Sequence, residues 1–281
     1  MPYTAEISRA NPSCFVFLID QSGSMADPFG VGEANQRKAD GVADAINRML
    51  QNLVIKCAKE EGIRDFFHIG VIGYGAQVGP AFSGAFAGRQ LIPISEVGNS
   101  PARVEQRNKS VPDGAGGVVE QSVRFPIWFE ALASGGTPMN QALGQAKAIV
   151  ETWLAQHPNC FPPIVINITD GESTDGDPTN SAAQIRNLKS SDGEVLLFNI
   201  HCSSQKVQSI MFPSSDAGLP DQFAQQLFRI SSTLPSQMAA LASQEGLAAG
   251  GEGARGFVFN AGMVEVIRAL DIGTRPSDAL R

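Results

Sequence analysis

The sequence predicts an α/β protein with a doubly wound, mainly parallel central sheet, helices on both faces and one antiparallel edge strand. Three observations lead to this fold class. Five short apolar runs that are typical of strands alternate with helix-like segments along the whole chain. The first of these runs is continuous rather than alternating, which is typical of a parallel strand buried on both faces. The chain has 281 residues, 43% of them hydrophobic, which is enough to bury one full core.

The first predicted strand is CFVFLID, residues 14–20, and a long amphipathic helix follows over 33–61. Another helix is predicted over 134–157, with Thr137 as its N-cap and Pro138 at its first position. The other predicted elements are strand 66–75, a hairpin or edge-strand region within 76–129, strand 162–170, helix 179–190, strand 194–202, loop 203–220, one or two helices over 221–246 broken at Pro235, strand 255–261 and helix 262–273.

We expect one domain over residues 14–272, preceded by an N-terminal segment 1–13 and followed by a flexible tail 273–281. Two loop-rich stretches, at about 76–129 and 203–235, resemble inserts. Inserts near a binding face are a common place for partner specificity, because loops vary while the scaffold that holds them stays rigid.

Composition and charge exclude several classes of function. The net charge of −7 and pI of about 5.0 give no indication of a basic surface for a nucleic acid. The longest apolar run is far shorter than the roughly 20 residues that a membrane span needs, and the N-terminus does not have the pattern of a signal peptide. Four cysteines match no zinc or CxxC spacing, so we expect free buried thiols in a reducing cytoplasm.

Polar residues follow two of the predicted strands, where ligands bind in an open α/β sheet. Asp20, Ser22 and Ser24 come directly after the first strand at every second position, so that alternate side chains can face one point. Asp170 ends the strand 162–170, and Thr137 lies at a junction between a loop and a helix. Carboxylate and hydroxyl oxygens are ligands that suit Mg²⁺, or Mn²⁺ or Ca²⁺, rather than zinc.

The charge of this ligand set predicts what the ion does. Two carboxylates, Asp20 and Asp170, balance the charge of a divalent cation, while Ser22, Ser24 and Thr137 are neutral. Five protein groups leave at least one position of an octahedral shell open. An ion held in this way stays electrophilic, so we expect it to accept an Asp or Glu carboxylate from a partner protein.

The elements Asp20-Gln21-Ser22-Gly23-Ser24, Gly136-Thr137-Pro138 and Ile168-Thr169-Asp170-Gly171 together resemble the von Willebrand factor A (VWA) domain and its metal-ion-dependent adhesion site. The resemblance extends from about residue 13 to about residue 272. It implies a Rossmann-like fold and a metal site formed by Asp20, Ser22, Ser24, Thr137 and Asp170. The segments SGGTPMNQAL and ITDGEST are similar to stand-alone bacterial VWA proteins of the tellurite-resistance type, which implies a stress or signalling assembly with a protein kinase or phosphatase as partner.

Other interpretations remain open at this stage. A metal-dependent phosphohydrolase could use the same carboxylates, but Ser22 stands where a second carboxylate would help and no lysine lies nearby in the sequence. A scaffold without metal would use the hydroxyls only as caps. We interpret Asp175 and Asp177 as part of a solvated turn rather than a calcium site, and Asp27 as a turn or cap residue. His201 and Cys202 are neighbours in a strand and point to opposite faces, so we expect no catalytic dyad and no enzyme.

Overall fold

The computed structural model describes residues 2–30, 36–112, 117–247 and 253–274. Two short 3₁₀ helices, Gly23–Ala26 and Gly84–Phe86, accompany the main elements. In chain order these are β1 Ser13–Asp20, α1 Lys38–Cys57, β2 Ala58–Lys59, β3 Gly62–Ile63, β4 Phe67–Tyr74, β5 Val78–Pro80, β6 Ile92–Pro93, α2 Ile94–Asn99, β7 Arg103–Pro112, β8 Val118–Ile127, α3 Met139–Gln156, β9 Ile164–Thr169, α4 Thr179–Arg186, β10 Lys189–Ser190, β11 Gly193–Glu194, β12 Leu196–Cys202, β13 Ile210–Met211, α5 Gln222–Ile230, α6 Ser236–Gln244, β14 Phe257–Ala261 and α7 Met263–Gly273.

The central sheet has the strand order β13-β14-β12-β9-β1-β4-β5, with β6 also paired to β4. Strands β14, β12, β9, β1 and β4 are parallel to one another. The predicted fold class is thus confirmed. Where the sequence predicted one antiparallel edge strand, the structure has antiparallel strands at both edges, β13 on one side and β5 and β6 on the other.

Helices cover both faces of this sheet because alternate residues of its buried strands point to opposite sides. Phe15, Phe17 and Ile19 of β1 pack in one apolar cluster with residues of α1, α2, α6 and α7. Val16 and Leu18 of the same strand belong to a second cluster with residues of α3, α4 and α5. Strand β1 is buried over its whole length, as its continuous apolar run predicted.

The chain leaves β1 and β9 in opposite directions, which makes the gap between these neighbouring strands the switch point of the sheet. From β1 the chain passes through α1 to β4 on one side, and from β9 it passes through α4 to β12 on the other. Ligands of open α/β sheets bind at such a point, outside the carboxyl ends of the strands. Asp20 is the last residue of β1, and Asp170 directly follows β9.

Three predicted helices are shorter than expected. Helix α1 was predicted to begin at residue 33, but 31–35 lie outside the described residues, and it ends at Cys57 because 58–63 form a small hairpin with Gly62 at φ +117°. Helix α4 ends at Arg186, and another small hairpin, β10–β11, follows it. Helix α3 begins at Met139, after rather than at Pro138. The predicted break at Pro235 is confirmed, between α5 and α6.

The stretch 76–129 contains the predicted edge strand and hairpin. Strands β7 and β8 pair antiparallel over ten residues each and form a two-stranded sheet of their own. Arg107 anchors this hairpin to α1, because its guanidinium lies 2.9 Å from the Asp44 carboxylate and over the ring of Phe125. The predicted domain boundaries stay predictions; Ile7 of the N-terminal segment is buried in the core, and 275–281 of the tail lie outside the described residues.

Candidate metal centre

The loop after β1 begins with a turn that Asp20 itself closes. The main-chain N–H of Ser22 donates a hydrogen bond of 2.8 Å to Asp20 Oδ1, and Oδ2 of the same carboxylate accepts one of 2.7 Å from the Thr169 hydroxyl. The second bond follows from register, because Ile19 of β1 pairs with Ile168 of β9 and places Asp20 opposite Thr169. Both oxygens of Asp20 are therefore held in place at the carboxyl edge of the sheet.

A chain of hydrogen bonds links the next predicted residues across this edge. Ser22 Oγ lies 3.1 Å from Ser24 Oγ, and Ser24 Oγ donates to Asp170 Oδ1 over 2.8 Å. Ser22 is 2% exposed and the Asp170 side chain is fully buried, whereas Ser24 is exposed to solvent. Four of the five predicted site residues thus form one group that reaches the surface at Ser24.

Burial of the Asp20 carboxylate shifts its pKa. The Asp20 side chain is almost completely buried, and desolvation raises its pKa to about 6, against the lowering effect of its hydrogen bonds to Ser22 and Thr169. The nearby Asp170 carboxylate raises the Asp20 pKa further. A pair of carboxylates in a buried position favours a cation between or beside them, because their negative charges need compensation there.

Thr137, the fifth predicted residue, lies in the neighbouring loop. That loop is fastened to the loop after β1 by two main-chain hydrogen bonds, Gly23 N–H to Gly135 O at 3.0 Å and Ser134 N–H to Gln21 O at 2.7 Å. Thr137 is 5% exposed. Its main chain exchanges two 2.9 Å hydrogen bonds with Thr174, which fixes the threonine between the loops that follow β1 and β9.

The prediction that Thr137 caps helix α3 is wrong. Pro138 occupies the N-cap position, and no cap hydrogen bond comes from its side chain. The carboxylate of Asp175 caps the helix from another loop, accepting hydrogen bonds from the N–H groups of Asn140 at 3.0 Å and Gln141 at 2.9 Å. Desolvation raises the pKa of Asp175, but these bonds lower it more, so the net shift is downward.

Asp175 therefore caps a helix rather than belonging to a solvated turn, whereas Asp177 is exposed in that turn, as predicted. Asp177 Oδ1 accepts a 2.8 Å hydrogen bond from the N–H of Thr179, the first residue of α4. In the described ranges, no group of three or more His, Cys, Asp and Glu side chains converges as metal ligands. The predicted site is of another kind, with hydroxyl groups beside two carboxylates.

Lys38 is the functional candidate that the sequence interpretation missed. Its ammonium lies 2.5 Å from Asp170 Oδ2, and its side chain is only 4% exposed. It is the first residue of α1, held there by a hydrogen bond from its N–H to Asp27 O at 2.9 Å and by the bridge between Pro28 and Arg37. In the sequence it is one charge among several at the start of an amphipathic helix, and no local signal separates it from its exposed neighbours.

His201 and Cys202 do not form a reactive pair. The His201 ring stacks on Phe259 with centroids 5.2 Å apart, and its Nδ1 has no hydrogen-bond partner among the described residues. Burial lowers the pKa of His201 to about 4, and burial raises the pKa of the Cys202 thiol far above its ordinary value. All four cysteines are free and buried, as predicted.

The segment after β12 packs against the chain that follows the candidate site. Gly30 N–H donates to Ser203 O over 2.7 Å, and Ser204 Oγ donates to Pro28 O over 2.8 Å. A Cβ on Gly30 would lie 2.0 Å from Gln205 O, so the two segments touch through their main chains. Residues 203–205 therefore form part of the surface beside the site.

No helix in the described part of the chain has the length and apolarity needed to cross a membrane.

Neither a protein-family model nor a curated protein matches the chain. The chain is similar to the solved structure of a von Willebrand factor type A protein from Catenulispora acidiphila, with 16% identity, a TM-score of 0.47, and coverage of 95% of this chain and 43% of that one. It is also similar to the ArnB paralog VWA2 from Sulfolobus acidocaldarius, with 14% identity, a TM-score of 0.36, and coverage of 70% of this chain and 36% of that one. A third similar structure is the vWF domain of the type V pili tip protein Mfa5 from Porphyromonas gingivalis, with 15% identity, a TM-score of 0.32, and coverage of 58% of this chain and 39% of that one. The chain spans less than half the length of each. The fold class rests on the strand order and pairing described above.

Proposed function

We propose that this protein is a metal-dependent interaction module, which binds a divalent cation and uses it to hold an acidic residue of a partner protein. The observation that carries the proposal is the hydrogen-bonded chain from Asp20 through Ser22 and Ser24 to Asp170, at the switch point of the sheet. Residues far apart in sequence bring carboxylate and hydroxyl oxygens together where such sheets bind ligands.

The donor set fits a hard divalent cation. Asp20, Ser22, Ser24 and Asp170 offer only oxygen atoms, and Thr137 stands in the adjoining loop. Mg²⁺ is our first candidate, with Mn²⁺ and Ca²⁺ as alternatives. The Lys38 ammonium lies against Asp170 Oδ2, so a divalent ion that used this oxygen would have to displace it. When bound, the ion would supply an electrophilic centre that accepts a carboxylate.

We favour binding over catalysis for the hydroxyl groups. Ser24 donates to the Asp170 carboxylate, which is already ion-paired with Lys38 and is therefore a weak base, and its other contact is the Ser22 hydroxyl, which is not a base. The histidines of the chain are no better placed, since His201 is stacked on Phe259, and His68 and His157 both pack on Trp153. Neutral serine oxygens suit metal ligation without further activation.

The surface around the site supplies the rest of a docking face. Ser24 opens the site to solvent, residues 203–205 lie beside it, and Asp44 of α1 carries the β7–β8 hairpin. We propose that these segments select the partner in a cytoplasmic bacterial stress or signalling assembly, with a protein kinase or protein phosphatase as the first candidate. These candidates follow from the resemblance of the segments SGGTPMNQAL and ITDGEST to stand-alone bacterial VWA proteins of the tellurite-resistance type.

Isothermal titration calorimetry with Mg²⁺ and Mn²⁺ tests the metal site. We expect binding to the wild-type protein, loss of binding in Asp20→Ala, and retained binding in Asp27→Ala. Asp27 is a suitable control because it is exposed and its N–H and carbonyl, not its carboxylate, hold the loop. Absence of metal binding in the wild-type protein, or equal binding in Asp20→Ala, would contradict the proposal.

A partner can be sought with the same pair of variants. Pull-downs with the wild-type protein in Mg²⁺ and in EDTA, compared with Asp20→Ala, should yield proteins that depend on both the ion and the carboxylate. A partner found in this way should lose binding when its own docking Asp or Glu is replaced. A partner retained equally in EDTA would argue for docking without metal.

One observation favours a second candidate, a metal-dependent phosphohydrolase. No lysine lies near Asp20 along the chain, which counted against this activity in the sequence, but the fold brings the Lys38 ammonium to the Asp170 carboxylate. A lysine beside strand-end carboxylates could neutralise the charge of a phosphoryl group. Turnover of a generic phosphate ester that disappears in Asp20→Asn would establish this activity, and absence of turnover in the wild-type protein with Mg²⁺ would exclude it for that substrate.

A further inference from the structure

Lys38 stands in a position that neither helix formation nor packing favours. It is the first residue of α1, and a positive charge at a helix N-terminus opposes the helix dipole. Its side chain is also almost fully removed from water, and burial of an ammonium ion is costly even when it is paired. A buried charge that breaks two local rules is more often explained by function than by stability.

The surroundings of Lys38 fix its ammonium in the candidate site. The Lys38 N–H donates to Asp27 O, and the bridge between Pro28 and Arg37 closes the loop that joins Ser24 to α1. The ammonium reaches Asp170 Oδ2, while Asp170 Oδ1 accepts from the Ser24 hydroxyl. One carboxylate therefore serves both the lysine and the chain of proposed ligands.

We propose that Lys38 is an internal cation that competes with the divalent ion for Asp170. This inference rests on the metal site of the proposed function and adds a residue that sets its affinity. A divalent ion held by these residues would add a second positive charge to the group that already contains the ammonium, and like charges repel strongly in a buried site. Asp170 would become available to the ion when the ammonium leaves it, and in the absence of metal Lys38 keeps that carboxylate paired.

Because Lys38 pairs with Asp170, the loops of the proposed site stay joined to α1 when no metal is bound. Without Lys38, Asp170 would be a buried carboxylate lacking its cation, next to the buried Asp20. With Lys38, the loop after β1, the loop after β9 and the start of α1 remain joined when no ion is bound. Metal binding would replace the contact between Lys38 and Asp170, so a change at the start of α1 would indicate that metal is bound.

The test compares the metal affinity of three proteins by calorimetry with MgCl₂ and MnCl₂. Lys38→Met removes the ammonium and keeps much of its apolar length, and Arg37→Met removes the neighbouring positive charge, which is exposed and paired with Asp40. We expect Lys38→Met to bind metal at least about tenfold more tightly than the wild-type protein, because the repulsion is gone. Arg37→Met should stay within about twofold, since exposed charges are screened.

Each outcome decides between the proposals. Equal affinity in the wild-type protein and Lys38→Met, or weaker binding in Lys38→Met, would overturn the inference and leave the metal site standing. Metal binding by Lys38→Met, with none detected in the wild-type protein, would support the inference most strongly. Absence of binding in both proteins would overturn the inference together with the proposed metal site.

Two further measurements protect the test against a variant that folds poorly. Thermal unfolding of Lys38→Met should show a lower midpoint than the wild-type protein in EDTA, and Mg²⁺ should raise that midpoint more than it raises the wild-type midpoint. In the wild-type protein, labelling of Lys38 by an amine-reactive reagent, followed by mass spectrometry, should be slow in EDTA and faster in saturating Mg²⁺. Unchanged labelling while metal binds would show that the ammonium stays on Asp170 and would overturn the inference.

Discussion

Replacement of Asp175 by alanine tests the way in which helix α3 is held against the site. Its carboxylate accepts hydrogen bonds from the N–H groups of Asn140 and Gln141, at 3.0 and 2.9 Å, and one from the Ser173 hydroxyl at 2.8 Å. Asp175→Ala removes the acceptor for the first turn of α3, the helix whose start adjoins Thr137. We therefore expect a loss of stability without any change in the core.

The magnitude follows from the kind of bond that is lost. Loss of a helix N-cap costs about 1 kcal/mol, with about 2 kcal/mol as the upper end. The Gln141 bond is exposed and the Asn140 bond is partly buried, so water can replace part of what is lost. We therefore expect a decrease of about 1 kcal/mol in the free energy of unfolding, which corresponds to about 2–4 °C in the melting temperature of a chain of this size.

The assay is urea unfolding of Asp175→Ala beside the wild-type protein, with Glu172→Ala as control. Glu172 is an exposed carboxylate of the same loop, so its removal changes the net charge equally without removing the cap. We expect the midpoint to fall in Asp175→Ala with an unchanged slope, and to stay within about 0.5 kcal/mol in Glu172→Ala. A stability of Asp175→Ala equal to that of the control would refute the assignment of the cap.

The same cap should show a defined pH dependence. The pKa of Asp175 is lower in the folded protein than its ordinary value, with desolvation opposing the hydrogen bonds that lower it. A lowered folded pKa stabilises the fold above the unfolded pKa of about 3.9, and this contribution is lost as the pH falls through the folded pKa. The difference between Asp175→Ala and the wild-type protein should therefore be constant from neutral pH to about pH 5 and shrink below about pH 4.

Three more predictions concern the framework of the site. Because Asp175 caps α3, Thr137→Ala should cost no more than about 1 kcal/mol of stability, yet weaken Mg²⁺ binding in calorimetry; unchanged metal affinity would remove Thr137 from the ligand set. Asn47→Leu should destabilise the protein by about 3 kcal/mol or more in urea unfolding, since it removes three buried hydrogen bonds to the main chain. A loss below about 1 kcal/mol would mean that water replaces those bonds. Gly75→Ala should reduce metal affinity, because its Cβ would lie 2.5 and 2.7 Å from two main-chain carbonyl oxygens of the site loops, whereas Gly79→Ala, with open space around it, should bind normally. Equal affinities of the two glycine variants would show that the loops tolerate the added atom.

The strands, and the positions at the sheet edge of four residues of the proposed site, could be predicted because their signals are local. A continuous apolar run marks β1, and its last residue, Asp20, must lie at the edge of the sheet. Parallel pairing of β1 with β9 then brings Asp20 and Asp170 to the same edge. Ser22 and Ser24 follow Asp20 closely in the sequence, so their hydroxyl oxygens lie on the loop directly after β1, 3.1 Å apart.

The residues that escaped prediction act across long distances in sequence. Lys38 pairs with a carboxylate 132 residues away, and Asp175 caps a helix that begins 36 residues before it. Thr137 before Pro138 had the local pattern of an N-cap, but tertiary contacts with Thr174 hold its main chain instead. Local patterns report what a residue can do, and the fold decides which of several partners it meets.

The proposed function requires that Asp20, Ser22, Ser24, Thr137 and Asp170 hold a divalent ion. Anomalous diffraction from crystals of the wild-type protein soaked in MnCl₂ tests it most directly, because the position of the ion is measured rather than inferred. We predict one strong peak at the carboxyl edge of β1 and β9, within about 2.0–2.6 Å of oxygen atoms from this set or of waters bound to them. A peak elsewhere, or no peak at saturating Mn²⁺, would show that these residues do not hold the ion.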